Sequence, residues 1–185
     1  MYGEPDFATP LQQIVFWRGA FIHYYTIVEH ATDDLLLRAL ISDHYSGFAK
    51  VPGGWPNRLT LLGKLFDAPG VLQRFAPPWR KALVALTIEQ KTRHLLAHGM
   101  FASELSEDKQ LTLTFTAYNF SKRRREVLTT TVEKLRHLVT TFGEAAEAYN
   151  ALIAGIAQSA GLEPFPVGPS QPYEGSPELF ELVER

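Results

Sequence analysis

Arg93, His94 and His98 place a guanidinium and two imidazoles within six residues, in the stretch Arg93-His94-Leu95-Leu96-Ala97-His98-Gly99. On an α-helix each residue advances about 100°. His94 and His98, four apart, therefore share one face about one turn from each other. Arg93 is next to that stripe, with a side chain long enough to reach around to it. A permanently charged, bidentate cation then stands beside two side chains of the type that exchange protons near neutrality. That pairing suits a phosphate ester. The planar fork can hold the non-bridging oxygens while a histidine moves the proton.

Two other readings of the histidines stand beside this one. Spaced by four, they are a familiar pair of metal ligands. His23 or His30, one heptad apart earlier in the chain, could supply the third ligand such a site needs. The fixed charge of Arg93 is unhelpful beside a dication, so the reading adopted has no metal and no cofactor. The histidines can also be packing groups near a helix end, where the dipole favours a cation.

Glu29 shares a helical face with Ile22, Tyr25 and Leu36, the stripe expected to face the core. A buried carboxylate needs a cation or hydrogen bonds. Arg93 is the partner expected, and one-sided removal of a fully buried pair costs about 3–5 kcal/mol. Against this, Glu29 can lie at the stripe's edge and reach solvent. Glu89, four residues before Arg93, competes as an ordinary helix-surface partner. Lys122-Arg123-Arg124-Arg125 is the dense basic run, read as a loop just before the last helix. Such a loop is either solvated or in contact with the phosphate backbone of RNA. Phe16, Trp17, Tyr24 and Tyr25 read as core or dimer interface rather than as base-stacking platforms.

The 185 residues are 45% hydrophobic, enough for one compact domain with a sizeable core. The absence of cysteine excludes disulfides, thiolate catalysis and cysteine-based zinc sites. No apolar run approaches the ~18 residues that a membrane span needs. The polar, acidic start Met1-Tyr2-Gly3-Glu4-Pro5-Asp6 lacks the basic and apolar regions of a signal peptide, so a cytoplasmic location is expected. A net charge of −2 gives no global basic footprint for nucleic acid. Any phosphate contact must come from a local patch.

The elements that would position these groups are mainly helical. Residues 11–44 carry Ile14, Phe21, Ile22, Tyr25, Val28, Leu35, Leu36 and Ala39 at helical steps, with Thr9-Pro10 as the start signal. Asn57 is expected to cap a short helix over 58–66, and another helical piece is expected over 71–75. A longer helix should run from Trp79 to Gly99. Residues 101–105 and 111–118 alternate Leu111, Leu113 and Phe115 with Thr112, Thr114 and Thr116, which predicts a two-stranded hairpin. Thr130-x-x-Glu133 matches a capping box and opens a last long helix to about 160. Residues 1–160 form the expected domain. Residues 161–185, rich in proline and glycine at first, form the expected tail, with a short terminal helix.

The Arg93-x4-His98 arrangement, with a polar residue after the arginine and an Ala97-His98-Gly99 ending, resembles the signature of the HEPN superfamily of nucleases. The resemblance spans about residues 11–160. It implies a HEPN-like bundle of two long helices around a motif helix, with short helices and a small β-hairpin appended. It further implies a homodimer in which Arg93 and His98 of both chains line one cleft. The chemistry implied is metal-independent endoribonuclease action through the 2′-hydroxyl, with His98 as base or acid, Arg93 on the phosphoryl oxygens, His94 orienting and Glu29 positioning Arg93. The setting implied is a toxin or phage-defence effector, with an antitoxin or other protein as possible partner. The alternative is a HEPN-like dimerising module that does not cut and binds nucleotide, RNA or protein.

Overall fold

The computed structural model describes residues 9–45, 47–48, 51–88, 90–105, 111–119 and 123–164, with the side chains of 87–91 outside that description. Helix α1 spans Pro10–Ile41. Thr9 caps it reciprocally with Gln12: the Gln12 amide donates to the Thr9 hydroxyl at 3.3 Å and the Thr9 amide to Gln12 Oε1 at 3.0 Å, which occupies two otherwise orphaned donors. The helix ends three residues before the expected 44, where the Ser42 hydroxyl bonds back to the Ala39 carbonyl and a 3₁₀ turn, Asp43–Tyr45, follows.

Helix α2 spans Trp55–Asp67, three residues earlier than expected. Pro56 fits its first turn because no amide is needed there. Asn57 is inside the helix, and its amide donates back to the Gly53 carbonyl. A 3₁₀ turn, Gln73–Phe75, leads into α3, Ala76–Ile88. Pro77 and Pro78 occupy the first turn of α3 for the same reason. Helix α4 is Gln90–His98, so the single helix expected from Trp79 to Gly99 is two elements. Glu89, the competing partner for Arg93, lies outside the described residues.

The hairpin is two strands of a three-stranded sheet. Strands β1 (Met100–Leu105), β2 (Leu111–Asn119) and β3 (Arg124–Thr131) form an antiparallel sheet in the order β1-β2-β3. The sequence hides β3 because its inward positions are Glu126, Leu128 and Thr130, opposite Ala117, Phe115 and Leu113. Glu126 is only 6% exposed. Its carboxylate accepts from Asn119 Nδ2 at 3.1 Å and lies 3.7 Å from Arg124, so a buried charge interrupts the apolar alternation that marks a strand.

Helix α5 spans Val132–Ser159. Its N-cap is Thr131, whose hydroxyl accepts from the Lys134 amide at 3.3 Å, one residue later than the expected Thr130 box. Glu133 stays in the first turn, and its carboxyl is held below the usual range by its own backbone amide and by the Thr131 hydroxyl. The expected tail from 165 onward lies outside the described residues.

Helices α1 and α5 run in the same direction. Phe21 meets Phe142, Thr32 meets Tyr149, and Arg38 reaches the Leu162 carbonyl. Gly143 allows the close approach, since a Cβ there would come within 2.7 Å of the Tyr24 ring. The Tyr149 hydroxyl joins Thr32 of α1 at 2.9 Å to Trp79 Nε1 of α3 at 3.3 Å. A buried polar group is thereby satisfied and three helices are tied together. Ile14, Phe21, Tyr25, Val28, Leu35, Leu36 and Ala39 are buried as a core stripe. Ile22 departs from the expected stripe at 36% exposure, because it is turned about 100° from Phe21 and falls outside the α5 seam. No helix among the described residues is long and apolar enough to cross a membrane.

The shifted cap gives a direct test by thermal melts. Thr131→Ala should cost about 1 kcal/mol, the usual loss of an N-cap. Thr130→Ala should cost under about 0.5 kcal/mol. The reverse ranking would restore the cap at Thr130.

Candidate active site

Helix α4 lies antiparallel along α1, gripped at both ends. At its start, the Arg93 guanidinium is 3.7 Å from the Glu29 carboxylate and 4.9 Å above the Tyr25 ring. Glu29 and Tyr25 are four apart on α1, one turn of the same face. The ring holds the cation by its quadrupole while the carboxylate sets its direction. Burial first, and then the Glu29 charge, push the Tyr25 phenol up to about 12, with Arg93 opposing. Tyr25 is therefore a neutral, rigid support for the guanidinium at ordinary pH.

At the other end, Arg18 of α1 donates to the last carbonyls of α4. Its Nε bonds the Leu96 carbonyl, and one terminal nitrogen reaches those of Ala97 at 3.1 Å and Gly99 at 3.4 Å. These are among the carbonyls that a helix end leaves unpaired, where a cation is also favoured by the dipole. Leu95 and Leu96 between the two grips are buried in the core. Gly99 then turns the chain into β1. A Cβ there would fall 2.2 Å from the Leu95 carbonyl oxygen and 3.3 Å from the Thr116 amide, so only glycine fits.

The imidazoles of His94 and His98 are 5.4 Å apart between centroids, inclined at 55°. His98 is exposed and His94 half-buried. His94 Nε2 is buried without a hydrogen-bond partner among the described residues. The arrangement offers a fixed guanidinium, an accessible imidazole and a second imidazole with a ring nitrogen uncommitted. Neither His23 nor His30 joins the pair into a ligand set: no group of three His, Cys, Asp or Glu residues is gathered for a metal among the described residues.

The basic run lies elsewhere than the sequence suggests. Arg124 and Arg125 open β3, Arg123 is in the turn before it with φ +50°, and Lys122 lies outside the described residues. A whole strand separates these arginines from α5, so the cost of cations at that helix N-terminus does not arise. A groove of about 530 Å³ between α3 and α5 is floored by Leu138 and Phe142. Its Phe142 stacks on Tyr25 at 5.9 Å, one aromatic layer from Arg93.

Sequence reasoning missed Arg18 and the support role of Tyr25. Arg18, Tyr25 and Glu29 recur at steps of seven and four, so the signal was present as one helical stripe, but its partner was not. Compared with family models, curated proteins and solved structures, the chain matches none.

The two grips should differ in strength. With Glu29 at 21% and Arg93 at 35% exposure, the pair is not fully buried. Glu29→Ala should cost about 1 kcal/mol or less in a urea melt. Arg18→Ala leaves carbonyls without a charged donor and should cost about 1.5–3 kcal/mol. An Arg18→Ala variant as stable as wild type would remove the C-terminal grip from the account.

Proposed function

We propose that this chain is a HEPN-like, metal-independent endoribonuclease acting as a homodimer, with a toxin or phage-defence role. The observation that carries the reading is the Arg93 guanidinium, held by Glu29 and Tyr25, on the same short helix as the exposed His98 and the half-buried His94. In the proposed reaction the RNA 2′-oxygen attacks the adjacent phosphorus and its proton passes to His98 of one protomer. The bond from phosphorus to the 5′-oxygen breaks, and that oxygen takes a proton from His98 of the second protomer. A 2′,3′-cyclic phosphate and a 5′-hydroxyl result. Arg93 stabilises the charge that builds on the non-bridging oxygens. His94, its ring centroid 5.4 Å from that of His98, orients the substrate or His98. Glu29 acts through Arg93 and is a positioning residue. A twofold axis beside α4 would bring the two copies of this patch together.

The test is cleavage of single-stranded RNA in EDTA by purified protein whose dimeric state has been verified by light scattering. Wild type should cut. His98→Ala should lose roughly two to four orders of magnitude in rate, the scale of removing a proton-transfer group, while keeping its melting temperature. His94→Asn should keep part of the activity, and DNA should resist for lack of the 2′-hydroxyl. Loss of activity in EDTA with recovery on zinc would favour a metal site. A folded wild type and a folded His98→Ala that are equally inert on varied RNAs would favour the non-cutting binding module.

A further inference from the structure

The sheet register brings the basic run to the end of the sheet where α4 joins β1. Met100 is opposite Thr116 across β1 and β2, and the Gly99 backbone is packed against the Thr116 amide. Tyr118 is two residues beyond Thr116, about 7 Å further along β2. That step carries it beyond the register of β1, which begins at Met100, two residues after the end of α4 at His98. On its other side Tyr118 is the direct cross-strand partner of Arg125, one strand spacing of about 4.8 Å away. One row across the end of the sheet therefore pairs Tyr118 with Arg125, at the end of β2 nearest in register to the junction of α4 and β1.

Alternation decides which face this row is on. Leu113, Phe115 and Ala117 are buried, so Tyr118, like Thr114 and Thr116, is on the opposite, outward face. Tyr118 is 50% exposed, and Arg125 and Arg123 are exposed. Arg124 is directed differently, its guanidinium 3.7 Å from the inward carboxylate of Glu126. An exposed aromatic ring paired with an arginine is the combination that binds single-stranded nucleic acid. The ring takes the face of any base, and the cation takes a phosphate.

We propose that Tyr118 and Arg125 form a single-strand platform, the ring stacking one base of the bound RNA and the guanidinium holding a phosphate. This rests on the ribonuclease reading for its purpose, though not for its binding chemistry. The platform fits an unpaired strand, since a paired base cannot offer its face to the ring. The platform also accounts for how a chain of net charge −2 can bind a polyanion, through a few cations gathered at one end of the sheet.

The experiment measures fluorescence anisotropy with labelled single-stranded DNA and with 2′-O-methyl RNA, neither of which carries a free 2′-hydroxyl. Wild type should bind both, and a blunt duplex should bind much more weakly. Tyr118→Ala should weaken single-strand binding roughly ten-fold. Tyr118→Leu, which keeps bulk without a π face, should do the same, and Tyr118→Phe should bind like wild type. Arg125→Ala should lower the slope of log affinity against log salt by about 0.7. Wild-type affinity in both Tyr118→Ala and Tyr118→Leu, equal binding of duplex, or no binding of any strand by wild type would overturn the platform. The companion measurement is the KM for cleavable RNA. If Tyr118→Ala cuts with an unchanged KM, the platform falls and the nuclease reading stands. If binding depends on Tyr118 while wild type cuts nothing, the nuclease reading falls and the platform stands.

Discussion

A nine-residue helix cannot hold its own conformation in water, because nucleation costs more than so few hydrogen bonds return. Helix α4 is such a helix, and it carries every residue of the Arg-x4-His motif. Its shape and direction must come from α1. Arg18 holds its final carbonyls, Tyr25 and Glu29 hold Arg93 one end away, and Leu95 and Leu96 anchor the middle. The stiffness of α1 comes in turn from its capped 32-residue length and its seam with α5. The geometry of the candidate site is therefore set by contacts well outside the six-residue motif, through a helix that itself contributes no histidine to it.

The sequence made α1 legible because two independent signals agree there: a start at Thr9-Pro10 and an apolar stripe of helical period. Agreement of that kind is what marks a foldable segment. Where signals conflict, the reading fails for identifiable reasons. Glu126 is inward-facing in β3, and its cost is met by Asn119 and Arg124, neither of which can be assigned to it from periodicity. With β3 unseen, the basic run read as a loop, and the cap at Thr131 slipped to Thr130. Ile22 was misplaced because an apolar residue at the edge of a stripe cannot be told from one at its centre without the partner helix.

The motif residues were legible as a cluster on one helix, since spacing alone puts His94 and His98 on one face. Their surroundings were not. Pairing of Glu29 with Arg93 could be expected from chemistry, yet the 3.7 Å separation and partial exposure make it a directing contact rather than a buried ion pair. Arg18 shares a helical stripe with Tyr25 and Glu29, but its role is not legible because its partners are backbone carbonyls seventy-eight or more residues away. The pairing of Tyr118 with Arg125 exists only once the register of β2 and β3 is known.

Arg93 and His98 are the groups proposed to stabilise charge and move protons during 2′-hydroxyl attack, and the chemical ends of the product report that directly. RNA incubated with the protein in EDTA and analysed by mass spectrometry should show fragments ending in 2′,3′-cyclic phosphate and beginning with 5′-hydroxyl, absent with His98→Ala. Fragments bearing 3′-hydroxyl and 5′-phosphate ends, formed only with added divalent cation and equally by His98→Ala, would contradict it.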